Sequence, residues 1–280
     1  FCCSVGSAVP HDLELGGEPG WAGPIDGVWL YNFDMGKKML RSLSNRGGRW
    51  LQIYDRIANT AAADVPLHVV GGYQMFTKEQ WVEQTLKLLE PLQAALSLPG
   101  CRVLEVGIGA GAFAEVILQS FPNISSFCGV DYSAPAVEIA NSRLREEFGE
   151  SKFTGMAGNA ADLKVLMATE EKFDVVVSFG LTQYLDSIST VEDCLAQMVS
   201  VLKPAGHLYV GEVNDEAKRE AALAKRSSTH KQAGPDHMYI PQEIFHRVPE
   251  TNNASIVQHE KLGLTYPTAS YRYSAYLTKE

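Results

Sequence analysis

Between residues 100 and 213 the chain alternates short, wholly apolar runs with segments of helical period. Cys101–Val106, Ser126–Asp131, Phe153–Met156, Phe173–Ser178 and His207–Val213 have the length and unbroken apolar character of strands buried on both faces. Helical segments fill the gaps. One covers Ala112–Phe121, and a second opens near Ser133, with Pro135 in its first turn, and runs past Leu144. A third is capped at Ser189-Thr-Val-Glu192, turns Val191, Leu195, Met198 and Leu202 inward, and ends at Lys203–Gly206. Upstream, Thr77-Lys-Glu-Gln80 has capping-box spacing and starts a helix carrying Trp81, Leu88, Leu92 and Leu96 on one face. Alternation of this kind predicts an α/β fold with a parallel sheet covered on both faces. The end of the chain breaks the rhythm. Ala254–His259 and Ser270–Leu277 read as strands joined by the turn-rich Gly263–Thr268, without the crossover helix that parallel neighbours need. The sheet is therefore expected to be mostly parallel with an antiparallel last strand.

Composition narrows the function classes. The 280 residues are 45% hydrophobic and carry 33 acids against 24 bases, a formal net charge of −9. An acidic chain is a poor general nucleic-acid binder, because phosphate contacts need clustered Lys and Arg. No run approaches the roughly 18 consecutive apolar residues of a membrane span. The five cysteines show no CxxC spacing, so no metal site is expected, and buried thiols of a reducing compartment are the simplest reading. Charge is uneven. Residues 1–30 hold 4 acids, no Lys or Arg, and repeated Gly and Pro, which reads as an extended arm. Lys37, Lys38, Arg41, Arg46, Arg49 and Arg56 then face a single acid, Asp55: a solvated helical face interrupted at Gly47-Gly48, or a docking surface for an acidic partner. Two parts are expected, an N-terminal arm and helical segment over 1–70 and the α/β domain over 71–280. The arm starts at Phe1 without Met, which suggests a soluble mature chain in the cytoplasm, or in an organelle such as a plastid or mitochondrion after leader removal.

The strongest chemical signal is Val103-Leu-Glu-Val-Gly-Ile-Gly-Ala-Gly-Ala-Phe113, which leaves a strand, turns through Gly107, Gly109 and Gly111, and enters a helix. Glycines there let the backbone approach a ligand closely. Asp131 ends the next strand, where an acid can grip ribose hydroxyls. Taken alone the loop also fits a dinucleotide fingerprint. Glu105 decides between cofactors. Beside a pyrophosphate its carboxylate is an awkward neighbour, whereas S-adenosylmethionine brings an ammonium and a sulfonium and no phosphate.

With Glu105 in place, VLEVGIGAGAF resembles the first motif of class I S-adenosylmethionine-dependent methyltransferases, and GVDYSAPAVEIA their second. GNAADL (Gly158–Leu163), FDVVVSFGLTQYL (Phe173–Leu185) and LKPAGHLYVGEV (Leu202–Val213) follow in the family's order, so the resemblance covers about residues 72–280. It implies a Rossmann-like doubly wound sheet. It also implies that Glu105 and Gly107–Gly111 hold the methionine part of the donor, Asp131 the ribose, Tyr132 the adenine face, and Asn159 and Ala160 the adenine edge. Ser178 and Phe179 would line the pocket, with Tyr73 folding over the donor. Asn159 replaces an Asp common in the third motif, and its carbonyl can still accept from an adenine amino group.

The acceptor is less constrained. After the fourth strand the chain reads Gly180-Leu-Thr-Gln-Tyr-Leu185, without the Asn/Asp-Pro-Pro-Tyr/Phe motif of adenine or glutamine-amide methylation. Gln183 and Tyr184 are the natural pocket-facing pair. Glu212, Asn214 and Asp215 follow the fifth strand, and the polar loop Ser227–Asp236, ending at His237, is where a lid would be inserted; His237 is the candidate base. The expected function is methyl transfer to an O or N of a small-molecule acceptor. The alternative is an accessory subunit of a larger complex, with the methyltransferase fold retained and residues 1–60 docking on a protein partner.

Overall fold

Seven strands form one sheet in the computed structural model, which describes residues 45–167, 172–229, 237–252, 254–264 and 266–280. They are β1 (Arg102–Val106), β2 (Ser126–Asp131), β3 (Phe153–Ala157), β4 (Phe173–Phe179), β5 (Leu202–Asn214), β6 (Ser255–Gln258) and β7 (Arg272–Thr278). Their spatial order is β3-β2-β1-β4-β5-β7-β6. Neighbours run parallel from β3 to β5, and β7 is antiparallel to both β5 and β6. The order reverses between β1 and β4, and in such sheets ligands bind outside the carboxyl ends of the strands at that point. Because β7 runs the other way, its first residue, Arg272, lies at that same edge.

Helices cover both faces: α1 (Asn45–Thr60), α2 (Lys78–Leu89), α3 (Ala112–Ser120), α4 (Ala134–Phe148), α5 (Ile188–Ser200) and α6 (Arg219–Thr229). The strand period of two divides the core between them. Val103, Val175 and Val177 pack with Phe113 of α3 and Leu144 of α4, while Leu104 and Val176 pack with Val191 and Leu195 of α5. That is the doubly wound arrangement. Leu104 is fully buried, and its truncation to Ala would cost about 2–5 kcal/mol.

Local signals account for most boundaries. Thr77 and Gln80 form the reciprocal capping box of α2, and Ser133 caps α4 with Pro135 in the first turn. The cap of α5 is Ser187, two residues before the expected Ser189; its hydroxyl accepts from the Thr190 amide at 3.1 Å. Leu202 and Lys203–Gly206 do not end that helix but open β5, where the register jumps from Phe173↔Leu202 to Val175↔His207 and Ala205 takes φ +58°.

The helical segment near the N-terminus also differs from expectation. α1 runs through Gly47-Gly48, and the Gly47 amide donates to Asp186 Oδ1 at 2.9 Å. Asp55 accepts from Ser133 Oγ at 2.6 Å, and Arg143 donates to the carbonyls of Ala62 and Val65. Contacts group Arg41–Glu280 into one compact unit, so α1 shares the body of the 71–280 region. The acidic arm over 1–30, Lys37, Lys38, Arg41, and residues 230–236 of the expected lid lie outside the described residues. No helix among the described residues is long and apolar enough to cross a membrane.

Candidate functional site

A cleft of about 540 Å³ opens at the carboxyl ends of β1, β2, β4 and β5. Its first half is built by one continuous stretch. After β1 the backbone turns through Gly107 (φ +84°) and Gly109 (φ +51°) and enters α3 at Gly111 (φ +92°), all in the left-handed region that L side chains rarely adopt. The Gly109 amide donates to Asp131 Oδ2 at 2.8 Å and the Ser133 amide to Oδ1 at 2.9 Å, which fixes the carboxylate at the cleft. Each oxygen keeps a second lone pair for a ligand hydroxyl.

Glu105 is 1% exposed, and its Oε2 has no hydrogen-bond partner. Burial pushes its carboxyl well above the usual carboxylate range; Asp131 adds to this, and the Ala114 amide opposes it. Burial raises Asp131 too, against the amides of Ser133 and Gly109. An orphaned buried acceptor beside a second acid is stabilised by a cationic ligand that donates hydrogen bonds, and it repels a pyrophosphate. The residues present therefore fit S-adenosylmethionine.

Around this half the structure brings Tyr73, Tyr132, Asn159 and Phe179 to the wall. The Tyr73 ring lies 4.4 Å from Trp81, and Phe179 stacks on Phe113 at 4.5 Å. Asn159 Oδ1 accepts from the Ala161 amide at 2.8 Å, so it is already a cap and would have to be shared with an adenine. Three expected residues do not reach the wall. Ala160 packs in the core and Ala161 lines the cleft instead; Ser178 is fully buried; and a Cβ on Gly111 would meet Leu144 at 2.8 Å, so that glycine serves helix packing.

The second half is assembled from distant segments. Trp50 and Tyr54 come from α1, Gln183 and Tyr184 from the turn after β4, Glu212 from β5, and Tyr266 and Arg272 from the last hairpin. Tyr54 donates to the Tyr184 hydroxyl at 2.7 Å, and the Trp50 and Tyr184 rings are 4.7 Å apart. Gln183 is 2% exposed with Oε1 unpartnered, while its backbone carbonyl accepts from the Met238 amide at 2.9 Å. That bond draws His237 into the group. Its ring packs 5.0 Å from Trp50 and 5.4 Å from Tyr184, although it is not among the residues lining the cleft.

Glu212 reaches the cleft through an irregularity. Pairing of β5 with β7 shifts between Val210 and Val213, and Glu212 takes φ +60°, unusual for a residue with a Cβ. Its Oε2 meets Arg272 Nη1 and its Oε1 accepts from the Tyr266 hydroxyl. Arg272 Nε also donates to Asn214 Oδ1 at 3.2 Å. Behind Tyr266, His259 Nδ1 meets the phenol oxygen and Nε2 meets Ser274 Oγ at 2.7 Å. Burial pushes His259 down to about 3, so the ring is neutral. The protons then have one consistent direction: Ser274 donates to His259, His259 to Tyr266, and Tyr266 to the Glu212 carboxylate.

Sequence reasoning placed Glu212 beyond the strand end and missed Trp50, Tyr54, Tyr266, His259 and Arg272 as part of the site. One signal was there. Arg272 is a lone cation in the apolar Tyr271–Leu277 run, and strand alternation sends it to the face opposite Tyr271 and Tyr273.

Comparison with known proteins agrees with this geometry. The model of a methyltransferase domain family matches residues 97–262. An arsenite methyltransferase from Aquipseudomonas alcaligenes is 28% identical over 191 residues, 62% of this chain and 51% of the relative. A nodulation protein S from Sinorhizobium fredii is 28% identical over 117 residues, 42% of this chain and 50% of the relative. The chain thus spans about half the length of these curated relatives. Among solved structures, magnesium protoporphyrin IX methyltransferase from Synechocystis PCC 6803 with bound SAH (S-adenosylhomocysteine) covers 88% of this chain and all of its own, with TM-score 0.54 and 15% identity, a likeness of fold. By its family match, its sheet order and the acid-flanked glycine turn at β1, the chain belongs to the class I S-adenosylmethionine-dependent methyltransferases.

Proposed function

We propose that the cleft transfers a methyl group to an oxygen or nitrogen of a small-molecule acceptor seated between Gln183, Tyr184 and the Glu212–Arg272 pair. The observation that carries this reading is the division of one cleft into a donor half, with Glu105 Oε2 unpartnered, and a second half with its own unpartnered acceptor, Gln183 Oε1. A volume of about 540 Å³ suits small ligands rather than a protein segment or a duplex.

The bound donor supplies an activated methyl. The chain's residues supply placement and dryness, the larger part of catalysis when the leaving group is already activated. Glu105 accepts from the donor's ammonium, Asp131 from its ribose hydroxyls, and Tyr132 and Asn159 flank the adenine. Gly107 and Gly109 allow close approach, and Tyr73 and Phe179 exclude water above the reacting atoms. Gln183 Oε1 accepts from the acceptor's O–H or N–H. Tyr184, held by Tyr54, retains its own proton to donate to the acceptor, and His237 orients Tyr184 from behind.

No cysteine among the described residues lines the cleft. Arsenite, named for one relative, is soft and calls for thiolates. Here Cys101, Cys128 and Cys194 are buried, and burial pushes the thiols of Cys101 and Cys194 up to about 12. For the accessory-subunit reading the relevant feature is α1, whose Trp50 and Tyr54 point inward to the cleft.

The test is calorimetric titration with S-adenosylhomocysteine, then transfer of a labelled methyl into a native small-molecule extract. Donor binding with a labelled small product is the expected result. Binding with label only in protein or nucleic acid, or with no transfer, contradicts the acceptor reading.

A further inference from the structure

Arg272 and Gln183 stand at the acceptor half of the cleft with opposite hydrogen-bonding needs. Arg272 is a buried guanidinium at the cleft wall, 9% exposed. Its Nε donates to Asn214 and its Nη1 meets Glu212, and the residue lines the cleft. Glu212 Oε1 also accepts from Tyr266, which holds the carboxylate in place as the guanidinium's counter-ion. The phenols of Tyr54, Tyr73 and Tyr184 line the same cleft, and burial lowers the pKa of Arg272. A guanidinium at a cleft wall that phenol hydroxyls share can recognise a planar oxyanion. Gln183 Oε1, buried and unpartnered at the same wall, asks instead for a donor.

We propose that the acceptor is a small hydroxy- or aryl-amino-carboxylic acid, whose nitrogen is unprotonated at neutral pH, its carboxylate held by Arg272 and its O–H or N–H, the group to be methylated, donated to Gln183. The acceptor's O or N bonds the donor's methyl carbon as the S–C bond breaks, S-adenosylhomocysteine leaves, and the proton, aligned but not taken by Gln183, is lost to solvent; the carboxylate is recognised and not modified, so the product remains an anion. The cationic donor then lies by Glu105 and Asp131, and the acceptor's carboxylate by Arg272, the cation among the described lining residues, which also include Asp186 and Glu212. This proposal rests on the small-molecule reading above and adds the acceptor's class.

The test uses S-adenosyl-[methyl-³H]methionine and a native small-molecule extract, with the labelled product run on an anion exchanger at neutral pH. A parallel reaction uses the same extract after its carboxylates have been converted to amides with carbodiimide and ammonia. Label is expected in the retained, anionic fraction of the first reaction and absent from the second. The Glu212→Gln/Arg272→Gln double variant keeps the pair neutral and similar in volume, so it folds where a single change would strand a charge. It should bind S-adenosylhomocysteine like the parent and lose roughly 100-fold or more in acceptor kcat/KM, the size of a lost buried charge contact. A neutral or cationic product, undiminished transfer into the amidated extract, or undiminished transfer by the double variant overturns the proposal while leaving the methyltransferase reading intact. Donor binding without any labelled small product overturns both.

Discussion

The two halves of the cleft are made in different ways. The donor half comes from neighbours in sequence: Glu105, Gly107 and Gly109 lie within five residues, and Asp131 is tied to Gly109 by a 2.8 Å bond. The acceptor half comes from α1, the turn after β4, the β5 irregularity and the last hairpin, segments far apart in sequence. The first is a backbone shape with two acids. The second is a buried polar network whose members depend on one another. Local construction suits a cofactor shared across a family, and long-range construction lets each chain fit its own acceptor.

That contrast sets the order of the expected effects. Arg272→Gln alone should destabilise the fold by about 3–5 kcal/mol, because it leaves Glu212 buried without its cation. The Glu212→Gln/Arg272→Gln variant should regain most of this in denaturant melts; equal losses would show that the pair is not coupled. Asp131→Ala removes the clamp on Gly109 together with the ribose acceptor. It should weaken S-adenosylhomocysteine binding roughly 100-fold, read by calorimetry, with a far smaller change in stability.

Acid should separate the halves as well. His259 is held at about 3 against an ordinary 6.5, so above pH 6.5 both folded and unfolded rings are neutral. Below that pH the unfolded chain takes up the proton first, and stability falls by about 1.4 kcal/mol per pH unit until the folded ring titrates. His259→Asn should flatten this slope. Glu105, raised by burial, must ionise to receive the donor's ammonium. S-adenosylhomocysteine affinity should therefore drop as pH falls through the raised value, and Glu105→Gln should bind weakly at every pH without that drop. The smallest effect is expected for Tyr54→Phe: loss of the 2.7 Å bond to Tyr184 should cost about 1 kcal/mol in acceptor kcat/KM and leave donor affinity unchanged.

The sequence was informative where the physics is local. Strand runs, the capping box at Thr77 and the glycine turn are fixed by neighbours, and each forms as the pattern predicts. Misreadings arose where a distant residue decides. Two glycines in α1 cost about 1 kcal/mol each relative to Ala and read as a break, yet Asp186, from a loop 139 residues away, accepts from the Gly47 amide and the helix runs through both. Ser187 displaced Ser189 as the cap of α5 because both serines offer the same chemistry two residues apart. Arg272 and Glu212 meet only because β7 is antiparallel and β5 shifts register between Val210 and Val213. The antiparallel strand was legible, but the shift that turns Glu212 into the cleft was not.

The most direct test of this division of labour is one calorimetric series: S-adenosylhomocysteine titrated into the unmodified chain, Asp131→Ala, and Glu212→Gln/Arg272→Gln. The prediction is strong binding to the first, roughly 100-fold weaker binding to the second, and parent-like affinity for the third. If the third weakens as much as the second, donor and acceptor are not held by separate halves of the cleft, and the account is wrong.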